Sequence, residues 1–192
     1  MLIRIEITGK TPLMMHNERL ADPDDPITKK IKEYTAKGSD QTDDDKRQVS
    51  LLEWRGGIYL DNKNEVCVPS ANIIKCFRDA AKVTKNGAKV ARGISPISLT
   101  NPLQIDGPRG IDVLIKQDKY FDRRLVRVSG RVKRTRPIFM PWALTVDLEM
   151  LEDVLNYSTF TQIVDLAGRA TGLCDARILG YGRFSAKLSK PK

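Results

Sequence analysis

Residues 2–8 alternate without a slip. Ile3, Ile5 and Ile7 fall on one side of an extended chain, and Leu2, Arg4, Glu6 and Thr8 fall on the other. A strand patterned this way is half-buried: one face needs a hydrophobic cover and the other meets water. Two later segments have the period of such a cover. After Val66-Cys67-Val68-Pro69, Ser70 is placed to cap a helix with Ile73, Ile74, Phe77, Ala80 and Ala81 on one face and Lys75, Arg78 and Lys82 on the other. Lys85-Asn86-Gly87 ends it. Further on, Thr159 and Gln162 fit a capping box. Phe160, Ile163, Val164, Ala167 and Ala170 recur at helical spacing, and Gly172 closes that helix. A last strand is predicted from Gly182 to Leu188.

The segments between differ in character. Residues 17–47 are polar, carry Pro23 and Pro26, and end in the charge run Asp43-Asp44-Asp45-Lys46-Arg47. This pattern predicts an inserted arm over about 17–50 with one helix at about 26–37. Leu51–Leu60 returns to apolar residues, with a turn at Asp61-Asn62. Residues 93–117 predict two or three short strands. Residues 125–147 predict a long extended pair broken at Ser129-Gly130 and near Pro137 and Pro141, which places a protruding basic β-hairpin at about 120–140. With arm and hairpin set aside, the order is the split strand–helix–strand arrangement. The expected fold class is therefore α+β, a ferredoxin-like or RNA-recognition-motif core in a single domain over residues 1–192. Such a core leaves one sheet face open for recognition.

Hydrophobic residues make up 41% of the chain, enough for a buried core, so wholesale disorder is excluded. No apolar run approaches the roughly 18 residues of a membrane span, and no basic stretch leads into a long apolar core at the N-terminus. A cytoplasmic protein with no membrane partner is expected. Cys67, Cys76 and Cys174 are odd in number and widely spaced, and His16 is the only histidine. That set offers no usual zinc spacing. Buried free thiols are expected, with neither metal nor cofactor.

The net charge is +9, and its placement is uneven. Arg123, Arg124, Arg127, Arg131, Lys133, Arg134 and Arg136 lie within fourteen residues that contain no acid. Guanidinium groups pair bidentately with phosphate and stack on bases, so this run points to a polyanion. On strands, Arg127, Arg131 and Lys133 would share one face of the hairpin, and Arg134 and Arg136 the other. A bland alternative is a solvated edge strand whose charge blocks aggregation. A second signal is the closing stretch Gly172-Leu173-Cys174-Asp175-Ala176-Arg177-Ile178-Leu179-Gly180-Tyr181-Gly182-Arg183-Phe184. Arg177 and Arg183 bracket a loop whose amides could form a phosphate nest, although a helix cap followed by a tight turn gives the same pattern. Trp54 and Trp142 sit among apolar residues and read as core, whereas Tyr181 stands between glycines as a base-stacking candidate.

Three of these elements, in order, resemble the RAMP superfamily, the repeat-associated proteins of CRISPR effector complexes, and among them the backbone subunits. They are the first strand running into Thr11-Pro12-Leu13-Met14, the helix start Val68-Pro69-Ser70-Ala71-Asn72-Ile73 leading to Arg78-Asp79-Ala80-Ala81, and the closing glycine-rich stretch. The resemblance covers about a third of the chain. Ser70 stands where a glycine is usual, Cys174 stands where a glycine often follows Gly-Leu, and the chain is short for a backbone subunit. The resemblance implies a glycine-rich loop near RNA, a hairpin thumb, and copies lined up along a guide strand. It implies RNA contacts at Lys75, Arg78, Gly180, Tyr181, Gly182 and Arg183.

Three functions follow as alternatives. The first is a non-catalytic subunit that binds single-stranded nucleic acid, RNA in preference to DNA, as a homo-oligomer or part of a multi-protein ribonucleoprotein. The second is an endoribonuclease, using His16 as a general base or a metal held by the Asp22, Asp24 and Asp25 cluster. Asp-Pro-Asp-Asp-Pro is also ordinary turn chemistry, and a lone histidine near a strand end is commonly structural. The third is a phage single-strand-binding protein, or an inhibitor or mimic of a CRISPR complex.

Overall fold

The computed structural model describes residues 1–127 and 131–190, except the side chains of Arg127 and Arg131. The first strand, β1 (Leu2–Gly9), is followed by the two-residue β2 (Leu13–Met14). Two helices come next, α1 (Pro26–Thr35) and α2 (Asp43–Gly57), and then β3 (Cys67–Pro69) and α3 (Ser70–Ala81). The middle of the chain holds α4 (Gly87–Gly93), β4 (Ile94–Pro96), β5 (Thr100–Pro102) and α5 (Ile111–Leu114). The hairpin strands β6 (Phe121–Arg127) and β7 (Arg131–Phe139) precede β8 (Ala143–Met150), α6 (Tyr157–Leu166) and β9 (Phe184–Ser189).

Four strands form an antiparallel sheet in the order β4-β8-β1-β9. With α3 and α6 as its crossovers, this is the ferredoxin-like order, and the fold is α+β as the periodicities predict. Ile3, Ile5 and Ile7 are buried together with Leu144, Val146, Leu148 and Phe184. The helices cover them with Ile73, Phe77 and Ala80 from α3 and Phe160, Ile163 and Val164 from α6. Phe77 meets Phe160 edge-to-face at 5.7 Å. Burying each such side chain contributes about 1.5–3 kcal/mol, and the aromatic pair adds about 0.5–1.5 kcal/mol. Trp54 and Trp142 are core residues, as expected.

Both helix starts differ from expectation. Ser70 is already inside α3; Pro69 holds the cap position, and the Ser70 hydroxyl donates instead to the Ser98 carbonyl at 2.5 Å. For α6 the cap is Asn156, whose side chain accepts from the Thr159 amide at 2.8 Å, so the helix begins before Thr159.

The polar arm contains the expected helix α1 and a second one, α2, that the charge run disguised. Thr42 and Asp45 make a full capping box at its start. The helix runs through residue 50 and delivers Trp54 to the core, where the indole stacks on Phe121 at 4.9 Å and donates to the Tyr120 carbonyl at 2.8 Å. A second sheet, β2-β7-β6, carries the hairpin. Its register pairs Arg123 with Thr135, Arg124 with Arg134, and Leu125 with Lys133. On its outer part Leu125 is 65% exposed. Ser129 and Gly130 lie outside the described residues.

Candidate nucleic-acid interface

The hairpin charges are less free than their sequence implies. Arg123 pairs with Asp118 at 2.7 Å, Arg124 with Asp122, Arg134 with Glu53 at 2.6 Å, and Arg136 with Asp175 at 3.3 Å. The expectation of an unpaired arginine cluster is therefore corrected: four of the seven basic residues have carboxylate partners folded in from other segments or the strand itself. The pairs are not equivalent. Asp118 is almost wholly exposed, so that pair is weak, on the order of 0–1 kcal/mol. Glu53 is buried and also accepts from the Thr135 amide at 2.8 Å, which fixes β7 against α2. Lys133 is exposed and has no carboxylate partner among the described residues. Arg127 and Arg131 are the end residues of β6 and β7, paired with each other in register.

The glycine-rich loop is turned inward. Gly172 and Gly182 have φ of +82° and +68°, and a Cβ on Gly182 would sit 2.2 Å from the Leu173 carbonyl oxygen. These glycines let backbone meet backbone, not ligand. The Gly182 amide donates to the Pro12 carbonyl at 2.9 Å, the Arg183 amide to the Thr11 hydroxyl at 2.9 Å, and the Gly180 amide to the Arg177 carbonyl at 3.0 Å. The expected phosphate nest is thus spent on closing the turn. Tyr181 is also occupied: Arg124 lies over its ring at 5.2 Å and donates to its hydroxyl at 2.6 Å. The hydrogen bonds to Asp122 and Tyr181 raise the Arg124 pKa. Arg177 reaches Asp79 at 3.2 Å, and Arg183 donates to the Arg177 carbonyl at 3.4 Å.

What remains open is a groove. The hairpin base, α1 and residues 16–20 enclose about 510 Å³ lined by Leu20, Ile31, Lys32, Val132, Arg134 and Arg136. His16 lines this cavity and also a second one of about 200 Å³, which holds Tyr59, Asn72, Lys75, Asp175 and Arg177. The Arg136–Asp175 pair spans the junction, with the Arg136 Nε and Asp175 Oδ2 atoms buried and lacking a hydrogen-bond partner among the described residues. His16 itself is exposed. Desolvation of its imidazole lowers its pKa, Asp175 raises it, and Arg136 and Arg134 lower it further, so the ring stays neutral near pH 7. Lys75 and Arg78 lie exposed on α3 without carboxylate partners among the described residues.

The open face of the main sheet is a poor surface for a polyanion. Across β1, β8 and β9 it presents the carboxylates Glu6, Asp147 and Glu149 against the cations Arg4 and Lys187, and Arg4 is bonded to Asp147 at 2.8 Å. It carries no aromatic side chain on these three strands.

The aspartate cluster is turn chemistry. Asp25 caps α1, accepting from the Ile27 amide at 2.8 Å, and pairs with Arg19 at 2.8 Å. Desolvation pushes the Asp25 pKa up, but Arg19 and the Ile27 amide outweigh it and hold the carboxyl below its usual range. Asp22 accepts from the Asp24 amide at 2.9 Å, and Asp24 pairs with Lys29 at 3.0 Å. Among the described residues no group of three or more His, Cys, Asp or Glu side chains is arranged to hold a metal. Burial raises the Cys67 thiol to about 11 and those of Cys76 and Cys174 to about 12. No helix among the described residues is long and apolar enough to cross a membrane.

Lys32 and Asn72 line these cavities although the sequence does not mark them as contact residues, and Tyr59, one of the aromatic residues that could stack a base, lies beside Asn72. Each has ordinary neighbours along the chain, and only the fold brings them together.

No protein-family model matches the chain, and no curated protein matches it in sequence. Among solved structures, the fold is similar to a chain of the Type III-B Cmr-beta complex bound to cognate target RNA, determined by cryo-EM. The TM-score is 0.53 and the identity 12%, over 98% of this chain and 60% of that one. This chain thus spans 60% of the length of its neighbour, and the likeness is one of fold.

Proposed function

We propose that the protein binds single-stranded RNA as a non-catalytic subunit of a ribonucleoprotein, in the manner of the backbone subunits of CRISPR effector complexes, with the strand lying in the groove at His16. One observation carries this reading. Segments far apart in sequence send Lys32, Lys75, Arg134, Arg136 and Arg177 to two cavities that both border His16, while the open sheet face carries an excess of carboxylates. The RNA-bound complex that contains a similarly folded chain supports RNA as the ligand. Paired arginines fit this role: a guanidinium has five donors, and one carboxylate leaves others for phosphate while fixing the plane.

The extended groove suits a strand passing through, and several copies side by side would continue it. A labelled single-stranded RNA, its DNA counterpart and an RNA duplex are titrated with protein across a salt series, and the mixtures are run on denaturing gels. The reading requires binding of single-stranded RNA that weakens steeply with salt and leaves the RNA intact. Absence of binding at low salt would leave a protein-docking role, such as an inhibitor of a nucleic-acid machine.

The neutral imidazole of His16 among guanidinium groups supports a second reading, metal-independent cleavage with His16 as general base. Products that persist in chelator and disappear in His16→Ala would establish it.

A further inference from the structure

We infer that the helical arm forms the second wall of the RNA path, and that Lys46 and Arg47 of α2 face Arg123 and Lys133 of the hairpin across a phosphate-binding depression. This inference rests on the proposed RNA-binding reading. The depression, about 570 Å³, lies on the far side of the hairpin from His16. Its α2 wall comprises Asp43, Lys46, Arg47, Ser50 and Leu51, spaced so that they share one helix face. Further along the same helix Glu53, Trp54, Gly56 and Gly57 are buried, and Asp45 is buried on the face opposite the depression. The basic residues are thus displayed on the first turns of a helix whose C-terminal turns are anchored in the core through Trp54, a rigid mount for a binding site.

The charges there are available. Arg47 and Lys133 have no carboxylate partner among the described residues. Lys46 is bonded to Asp43 at 3.1 Å and Arg123 to Asp118 at 2.7 Å, but both acids are more than four-fifths exposed. Exposed pairs of this kind are weak and give way to a multivalent anion. Arg123 also donates from Nε to the Ser50 hydroxyl at 3.4 Å, which holds its guanidinium over the depression. Four cations against two solvated carboxylates leave a site that favours phosphate.

The depression is continuous with the groove. A cavity of about 290 Å³ shares Lys46, Ser50 and Lys133 with the depression, and shares Glu53, Arg134 and Thr135 with the groove. A strand gripped at Lys75 and Arg134 therefore has a charged exit over the hairpin toward Arg47. A nucleic-acid chain, whose phosphates repeat along its length, fits this geometry better than a single small anion.

The test compares the wild-type chain, a Lys46→Gln/Arg47→Gln double variant, and Lys187→Gln on the open sheet face, each titrated with a labelled oligouridine by fluorescence anisotropy across a salt series. Lys46, Arg47 and Lys187 are all exposed, and matching circular dichroism melts establish that the folds are intact. The double variant should bind about tenfold more weakly at low salt, and its log–log salt slope should fall by about 1.4, the loss of two phosphate contacts on a single strand. Lys187→Gln should match wild type. If wild type binds and the double variant keeps its affinity and slope, the arm is not part of the path while the RNA-binding reading stands. If wild type fails to bind, both fall.

Discussion

The basic hairpin and the glycine-rich loop carry the two most ligand-like signatures of the sequence, and the fold treats them in opposite ways. In the loop, the groups that would have met a ligand are consumed internally: Gly172 and Gly182 press backbone against backbone, and the amides at 180, 182 and 183 are bonded to Arg177, Pro12 and Thr11. What the loop shows to solvent is apolar, with Ile178 fully exposed. In the hairpin, carboxylates neutralise part of the charge but hold it at the surface, where guanidinium groups keep donors to spare. The contrast separates two meanings of a polar motif. A backbone donor that is bonded inside the fold is lost to a ligand, whereas an exposed ion pair can be exchanged for one.

The sharpest break would come at the glycines. Gly182→Ala places a Cβ against the Leu173 backbone and should cost more than about 3 kcal/mol in chemical denaturation, whereas Gly180→Ala meets open space and should cost about 1–2 kcal/mol for its positive φ alone. Equal losses would mean that the loop is not closed as described. Next come the hairpin acids. Glu53→Ala removes a buried acceptor shared by Arg134 and the Thr135 amide and should destabilise by about 2–3 kcal/mol, while Asp118→Asn should stay within about 0.5 kcal/mol. Similar values for the two would erase the distinction between a structural and an exchangeable pair.

A smaller effect concerns RNA affinity. Lys75→Gln and Lys133→Gln should each lower the salt slope by about 0.7, and Lys187→Gln should leave it unchanged. The smallest effect is the pH response of His16. Its pKa lies below the unfolded value, so the unfolded chain takes up the proton first as pH falls. The contribution is whole above about pH 6.5 and declines below it. Wild type should therefore lose more stability on acidification than His16→Gln, read from urea midpoints; parallel curves would contradict the environment described for this ring.

The sheet and its two covering helices are legible in the sequence because their patterns are local. Ile3, Ile5 and Ile7 announce a buried face, and Ile73, Phe77 and Ala80 announce its cover. The α2 helix is hidden because Asp43-Asp44-Asp45-Lys46-Arg47 looks like solvated arm, although Thr42 and Asp45 hold the signal of its capping box. The state of the arginines is not legible at all. Glu53 lies 81 residues from Arg134, and Asp175 stands in another element from Arg136, so no window along the chain reveals the pairing. The groove escapes sequence reading for the same reason: His16, Lys32, Tyr59, Lys75 and Arg134 meet only once the arm, hairpin and α3 are packed.

Photocrosslinking with RNA carrying 4-thiouridine, followed by peptide mass spectrometry, tests the location of the strand most directly. Adducts are predicted on peptides containing His16, Tyr59 and Lys75 and on the hairpin residues 132–136. Adducts concentrated on Arg4, Thr145 or Lys187 would place the RNA on the open sheet face and contradict the account.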